Sequence, residues 1–300
     1  MTLPTPRPTF ADGHPVEQTT GRAHDFTSSI TGRDYRVFID IPGGEPPAGG
    51  FPVVYLLDGN LHFTPFVGMT RGFAMAGETR PAVVVGVGYP TADPLAAMTS
   101  RFRDLSLPAS EAWLATLGWT APGMTVDNIG GVDDFLAVLE REIRPAVAAV
   151  AKVDPADQTL FGHSLAGHAV LRALFTAPGA YRAFIASSPS IWWADDAVLA
   201  EEAALADRMA AAGARPRVLL EVGEREAFPD RAALAHFATR EEAEASAGRA
   251  RMVGNVADLG ARLAALPGCV VDTVVFSGEG HATVIPAALC RALQFAVGVD

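Results

Sequence analysis

Short, predominantly apolar stretches constrain the fold of this chain more than any other feature. They are Val53-Val54-Tyr55-Leu56-Leu57, Ala82-Val83-Val84-Val85-Gly86-Val87, Thr159-Leu160-Phe161, Phe184-Ile185-Ala186, Val218 to Val222 and Val270–Phe276. A strand with one wet face alternates apolar and polar residues. Unbroken apolar runs of this length belong to strands covered on both faces, as in a mostly parallel sheet. Between the runs lie helical patterns. Residues 133–150 place Phe135, Leu136, Leu139, Ile143 and Val147 close to a 3.6-residue period, and residues 165–175, 198–212, 231–266 and 287–297 are also helix-rich. Strand and helix in alternation predict a doubly wound, mostly parallel α/β sheet with helices on both faces. Residues 35–41 alternate as a further strand, and the Pro/Gly-rich residues 42–50 read as a hairpin-like loop.

With 300 residues, 49% of them hydrophobic, the chain can bury one large core. Residues 29–300 are expected to form a single domain. Residues 1–28 are rich in Pro and Thr and read as an extended or partly disordered arm. Residues 105–131, which hold Trp113 and Trp119 among Pro, Gly and Ser, break the alternation and read as a lid-like excursion over the strand ends. The Ala/Glu/Arg-rich residues 231–251 read as a solvated helix rather than a binding segment.

Charge and cysteine content exclude several function classes. The net charge of −11, with Lys152 the sole lysine among 23 basic residues, is wrong for non-specific binding to nucleic acid, which requires neutralised phosphates. Cys269 and Cys290 are too few for a disulfide framework or a Cys-rich zinc site and read as core packing. No metal site and no cofactor is expected. No apolar run approaches the ~18 residues of a membrane span, and the first thirty residues lack the pattern of a secretory leader. The expected compartment is the cytoplasm, or the periplasm if a leader had been removed. Oligomeric state is not legible.

The strongest chemical signal is Gly162-His163-Ser164-Leu165-Ala166-Gly167, lying between an apolar strand and an Ala/Leu-rich helix. This is the G-x-S-x-G nucleophile elbow in its required strand-turn-helix setting. The turn strains the nucleophile's backbone, small flanking residues avoid collisions, and the helix N-terminus offers free N–H groups to an oxyanion. Ser164 is therefore the candidate nucleophile. A serine hydroxyl needs a base, and of seven histidines His281, in a Gly-rich loop after the last expected strand, sits where this fold class carries it. His14 and His24 lie in the arm, His236 in a polar helix, His62 after an early strand, and His163 and His168 flank the nucleophile too closely to face it. The acid should follow residues 218–222, where Glu224 and Glu226 compete; Glu226 is preferred because Glu224 could pair with Arg225 or face solvent. Glu279 and Asp58 are weaker alternatives, and a Ser-His dyad is a further one. The oxyanion donors are expected to be the backbone amides of Leu165 and of Asn60, or otherwise Gly59, in Asp58-Gly59-Asn60, with no need for the Asn60 side chain.

These segments, together with Val85-Gly86-Val87-Gly88-Tyr89-Pro90, Arg101-Phe102-Arg103-Asp104 and Ser187-Ser188-Pro189-Ser190-Ile191-Trp192-Trp193, resemble the esterase D-like family of α/β-hydrolases, and within it the siderophore-esterase branch that opens catecholate trilactones. The resemblance runs over most of residues 33–297. It implies an α/β-hydrolase fold, Ser164 as nucleophile, His281 as base, Glu226 at the acid position and the amides of Asn60 and Leu165 as oxyanion donors. Siderophore-cleaving members often use a Ser-His dyad. The chain departs from the family pattern at Leu165-Ala166-Gly167, where Leu-Gly-Gly is common, and over residues 107–131. Arg101 and Arg103 are candidates to hold an anionic or catecholate group, or else pair with Asp104, and one of Trp192 and Trp193 is placed in the pocket wall. The expected activity is hydrolysis of a small carboxylic ester through an acyl-enzyme, with a siderophore trilactone as the candidate substrate. The alternatives are a general carboxylesterase, thioesterase or acyltransferase, and a catalytically silent hydrolase-like binding protein.

Overall fold

The computed structural model describes residues 21–118, 121, 123–229, 234–235 and 237–299. Residues 1–20, with His14, and also Trp119 and His236, lie outside the described residues.

Among the described residues the chain builds an eight-stranded sheet in the order β1-β2-β4-β3-β5-β6-β7-β8. The strands are β1 (Arg22–Thr27), β2 (Asp34–Asp40), β3 (Phe51–Leu57), β4 (Val83–Gly88), β5 (Val153–His163), β6 (Ala183–Ser187), β7 (Arg217–Gly223) and β8 (Val270–Phe276). From β4 through β8 all neighbours are parallel, and β2 and β1 add two antiparallel strands at one edge. Every residue of β3 is buried, which is why its sequence is apolar without alternation. Residues 270–276, expected to be covered on both faces, instead form the edge strand β8, in which no residue is fully buried because, among the described residues, no further strand pairs beyond it and its polar Asp272 and Thr273 meet solvent. The edge strand β1 is mostly exposed and polar, so residues 22–27 carry no hydrophobic signal; what reads as part of an arm is held by its register with β2.

The helices are α1 (Gly59–Ala76), α2 (Pro94–Leu105), α3 (Glu111–Thr116), α4 (Val132–Val138), α5 (Arg144–Val150), α6 (Leu165–Thr176), α7 (Leu205–Ala212), α8 (Arg240–Ala250), α9 (Met252–Ala264) and α10 (Ile285–Val297). Helices α1 and α10 cover one face of the sheet with Phe63, Phe66, Leu289 and Leu293. Helices α4, α5, α6 and α9 cover the other with Phe135, Val147, Leu171 and Val256. The expected helix over 133–150 is present with one irregularity: Leu139–Ile143 opens into a π turn just ahead of Pro145, whose ring removes a donor and crowds the preceding turn. The expected helix over 231–266 is two helices, because Arg251 takes a left-handed conformation (φ 41°) and turns the chain between them. Cys269 and Cys290 are unpaired and half-buried, and burial pushes the Cys269 thiol up to about 11.

After β3 the chain crosses by α1 to β4 on one side, and β5 then lies on the other side of β3. Strand order therefore reverses between β3 and β5. The loops leaving the two carboxyl ends diverge there and leave a crevice, the place where open α/β sheets bind ligands.

Candidate active site

Ser164 follows β5 directly and takes φ 63°, ψ −121°, a conformation that a non-glycine residue holds only when its surroundings enforce it. Its N–H donates to the Ser187 carbonyl (2.8 Å), and its own carbonyl accepts from His168 (3.0 Å) and Ser190 (3.1 Å). A Cβ at Gly162 would run into the Ala166 carbonyl, so the strand-to-helix turn closes only with glycine there. Ala166 is itself helical and fully buried, and its methyl is accommodated where the family pattern has glycine.

The loop after β8 brings His281 over the elbow, and Glu226 arrives from the short turn after β7, Glu224–Ala227. Glu226 Oε2 lies 2.6 Å from His281 Nδ1, and His281 Nε2 lies 2.9 Å from Ser164 Oγ. A carboxylate only accepts, so Nδ1 carries the proton and Nε2 presents its lone pair to the serine hydroxyl. The other carboxylate oxygen of Glu226 accepts from Ser188 Oγ (2.6 Å) and the Gly223 N–H (2.8 Å), which fixes the buried carboxylate in one rotamer. Ser164, His281 and Glu226 thus form one unbroken hydrogen-bonded line, able to transfer the serine proton and to stabilise the imidazolium that results.

Glu224 points elsewhere. It is exposed and accepts from Ser277 Oγ and the Gly278 N–H, both at 2.8 Å, and those bonds hold its carboxyl below the usual carboxylate range. Its contacts tie the turn after β7 to the loop that carries His281. Asp58 is engaged by Arg101, and Glu279 contributes its backbone carbonyl to Arg225 N–H (2.8 Å).

The Leu165 amide is in the first turn of α6 and the Asn60 amide in the first turn of α1, where N–H groups have no intrahelical acceptor. The turn that carries Asn60 is braced at both ends. Asp58, left-handed at φ 53°, receives both arms of the Arg101 guanidinium, Nε to Oδ1 at 3.0 Å and Nη2 to Oδ2 at 2.9 Å. The Asn60 side chain accepts from the Tyr89 N–H (2.8 Å) and donates to the Tyr89 carbonyl (2.9 Å), so it has a structural task that the sequence did not suggest. Gly88 leaves the space that this amide occupies.

A cavity of about 370 Å³ opens on this line of residues. Its walls are Ser164, Ser190, Trp192, Arg225, Glu226, Phe228, Pro229, Phe237, Ala243, Ser246, Ala247, Met252 and His281. Of the four expected substrate contacts only Trp192 is among them. Arg101 is locked on Asp58. Arg103 lines a separate cavity of about 400 Å³ with Tyr89, Thr91 and Asn128, and Asp104 pairs with Arg33 rather than with either arginine. Trp193 is buried and donates its indole N–H to the Leu107 carbonyl (2.8 Å). Ala243, Ser246 and Ala247, from the stretch 231–251 expected to be merely solvated, supply one wall together with Met252, and Arg225 supplies a cation. No hydrogen bond or ion pair engages the Arg225 guanidinium among the described residues. The excursion reaches the site through Trp113, which stacks on Trp192 (centroids 6.0 Å apart). Among the described residues no group of His, Cys, Asp and Glu is arranged to hold a metal ion, and no helix is long and apolar enough to cross a membrane.

The family model described as "Putative esterase" matches residues 28–113 and 118–257, a span that includes Asn60, Ser164 and Glu226 and ends before His281. The ferri-bacillibactin esterase BesA of Bacillus subtilis is 33% identical, with 95% of this chain and 97% of that protein aligned. The siderophore triacetylfusarinine C esterase of Aspergillus fumigatus is 32% identical over 82% of this chain and 81% of its own. Among solved structures, the BES protein from Bacillus cereus superposes with a TM-score of 0.78 at 28% identity, covering 97% of this chain and 100% of that one. With a family match over most of its length, a relative aligned nearly end to end and the same architecture, the chain belongs to the esterase family of the α/β-hydrolase fold.

Proposed function

We propose that the protein is a serine esterase that opens the ester bonds of a siderophore, with Ser164 as nucleophile, His281 as general base and acid, and Glu226 as the carboxylate that orients the imidazole. The hydrogen-bonded line from Glu226 through His281 to Ser164 carries this reading. His281 Nε2 removes the Ser164 proton as Oγ attacks the ester carbonyl. The amides of Leu165 and Asn60 receive the negative charge of the tetrahedral oxygen. His281 then returns the proton to the departing alkoxide, and water, deprotonated by the same imidazole, releases the acid from the acyl-enzyme.

The substrate class rests on the relatives named as siderophore esterases and on the walls of the cavity. Trp192, Phe228 and Phe237 offer flat apolar surface to aromatic or acyl groups, and Arg225, which has no side-chain partner among the described residues, suits an anionic or strongly polar one. Trp113, by backing Trp192, links residues 105–131 to the shape of the pocket. Iron in a ferric siderophore is cargo, carried in as part of the substrate.

The test is turnover by the purified protein of ferric and iron-free trilactone siderophores and of triacetylfusarinine C, beside p-nitrophenyl acetate and butyrate. A siderophore ester should exceed the small esters in kcat/KM by about 10²-fold or more, since the larger substrate can use pocket contacts that the small ones lack. Efficient turnover of the small esters alone would overturn the substrate assignment.

A further inference from the structure

His163, the last residue of β5, stands directly before Ser164 and is almost fully buried. Its ring packs against that of His281, with centroids 4.8 Å apart and planes inclined by 40°. Nδ1 lies 3.2 Å from Ser187 Oγ, on the neighbouring strand and in direct register. His62 closes its far side edge-on, with ring centroids 6.3 Å apart.

These contacts answer a mechanical problem in the site. His281 sits on a loop after the edge strand β8, where Val270 and Val275 are about half exposed, and its own side chain is 40% exposed. Glu226 holds one ring nitrogen, and a single hydrogen bond acts as a hinge about which an imidazole can swing away from the serine. A second contact surface on the ring restricts that freedom.

We propose that His163 is a positioning residue for the reaction: an imidazole bracket, anchored on Ser187, that references the ring of His281 to the same strand end that carries Ser164. The inference rests on the reading of Ser164 and His281 as nucleophile and base. His163 can serve because it stays neutral; burial first, and then the neighbouring rings of His281 and His62 and the Arg101 guanidinium, push its protonation well below the ordinary histidine range. A neutral imidazole has one donor and one acceptor. The Ser187 hydroxyl, 3.2 Å from Nδ1, can donate or accept and so satisfies the buried ring in its neutral form. Ser187 therefore fixes the orientation of the ring against His281.

The test compares His163→Phe, which keeps a ring and loses the polar contact with Ser187, with His163→Gln, whose amide can meet the Ser187 hydroxyl at a similar position, and with Ser187→Ala. Loosening the base by a fraction of an ångström should lower kcat in His163→Phe by about 10- to 100-fold with KM within about twofold of wild type. His163→Gln should recover most of that loss, and Ser187→Ala should fall between. In proton NMR, the downfield His281 Nδ1–H signal of the wild-type protein should broaden by faster exchange in His163→Phe and persist in His163→Gln. Wild-type kcat per titrated active site in His163→Phe or, should that variant not fold, in Ser187→Ala, with only thermal stability changed, would overturn the bracket. Ser164→Ala and His281→Ala, assayed alongside, separate the two claims: turnover retained in them defeats the underlying reading, whereas turnover lost in them but unchanged in His163→Phe defeats the bracket alone.

Discussion

Glu224 and Glu226 are two residues apart in the same turn and differ in everything around them. Glu226 is buried with three donors, Ser188, Gly223 and His281, whereas Glu224 is exposed and binds the neighbouring loop. The sequence favours Glu226 only narrowly, because the deciding partner, Ser188, follows β6 and is distant along the chain. His168 shows a second consequence of burial. It is fully enclosed in α6, and its Nδ1–H donates to the Ser190 carbonyl (3.0 Å). Burial lowers its pKa to about 4 from an ordinary value near 6.5. The folded protein therefore binds this proton less readily than the unfolded chain. The stability of the neutral ring is fully present above about pH 6.5, is lost as pH falls from there toward 4, and is of order 3 kcal/mol in total. Urea unfolding midpoints should drop between pH 7 and pH 5, and drop less in His168→Gln; an equal drop in both would contradict this account.

At the scale of elements, the turn from β3 into α1 depends on a residue outside it. Arg101, on α2, meets Asp58 with both partners largely buried, so the pair holds the left-handed residue that opens α1. From sequence alone Arg101 reads as a substrate contact, since an arginine near a pocket invites that assignment and its partner is 43 residues away. Arg101→Gln leaves Asp58 buried without a counter-charge and should destabilise the protein by about 3 kcal/mol in urea unfolding. It should also lower kcat more than it raises KM, because the displaced Asn60 amide would serve the transition state rather than the bound ester. An unchanged unfolding midpoint would show that the pair does not brace the turn. The break at Arg251 is equally hidden, because Met252, Val256, Leu259 and Leu263 continue a helical period beyond it with no proline between; the small residues Ala243, Ser246 and Ala247 of α8 line the pocket.

Across the whole molecule, the legible and illegible parts divide by burial. Strands covered on both faces announce themselves as continuous apolar runs, and β3 through β7 lie close to where those runs predict. The polar edge strand β1 and the amphipathic α1 and α2 did not stand out, because their positions are settled by pairing and packing with distant segments. In the same way the elbow motif and the chain order pointed to Ser164 and His281, while most of the pocket wall lies in the segment after Glu224 that carries no motif. The fold joins these parts at the reversal between β3 and β5: one strand end presents the Asn60 turn, the next presents Ser164, and β7 and β8 deliver Glu226 and His281 from the far side.

The most direct test of this account is kcat for ester hydrolysis by Ser164→Ala beside the wild-type protein, with circular dichroism to confirm an unchanged fold. Removing the nucleophile should lower kcat by about 10⁴-fold or more. Turnover within about tenfold of wild type in a folded Ser164→Ala protein would contradict the assignment of Ser164 and the mechanism built on it.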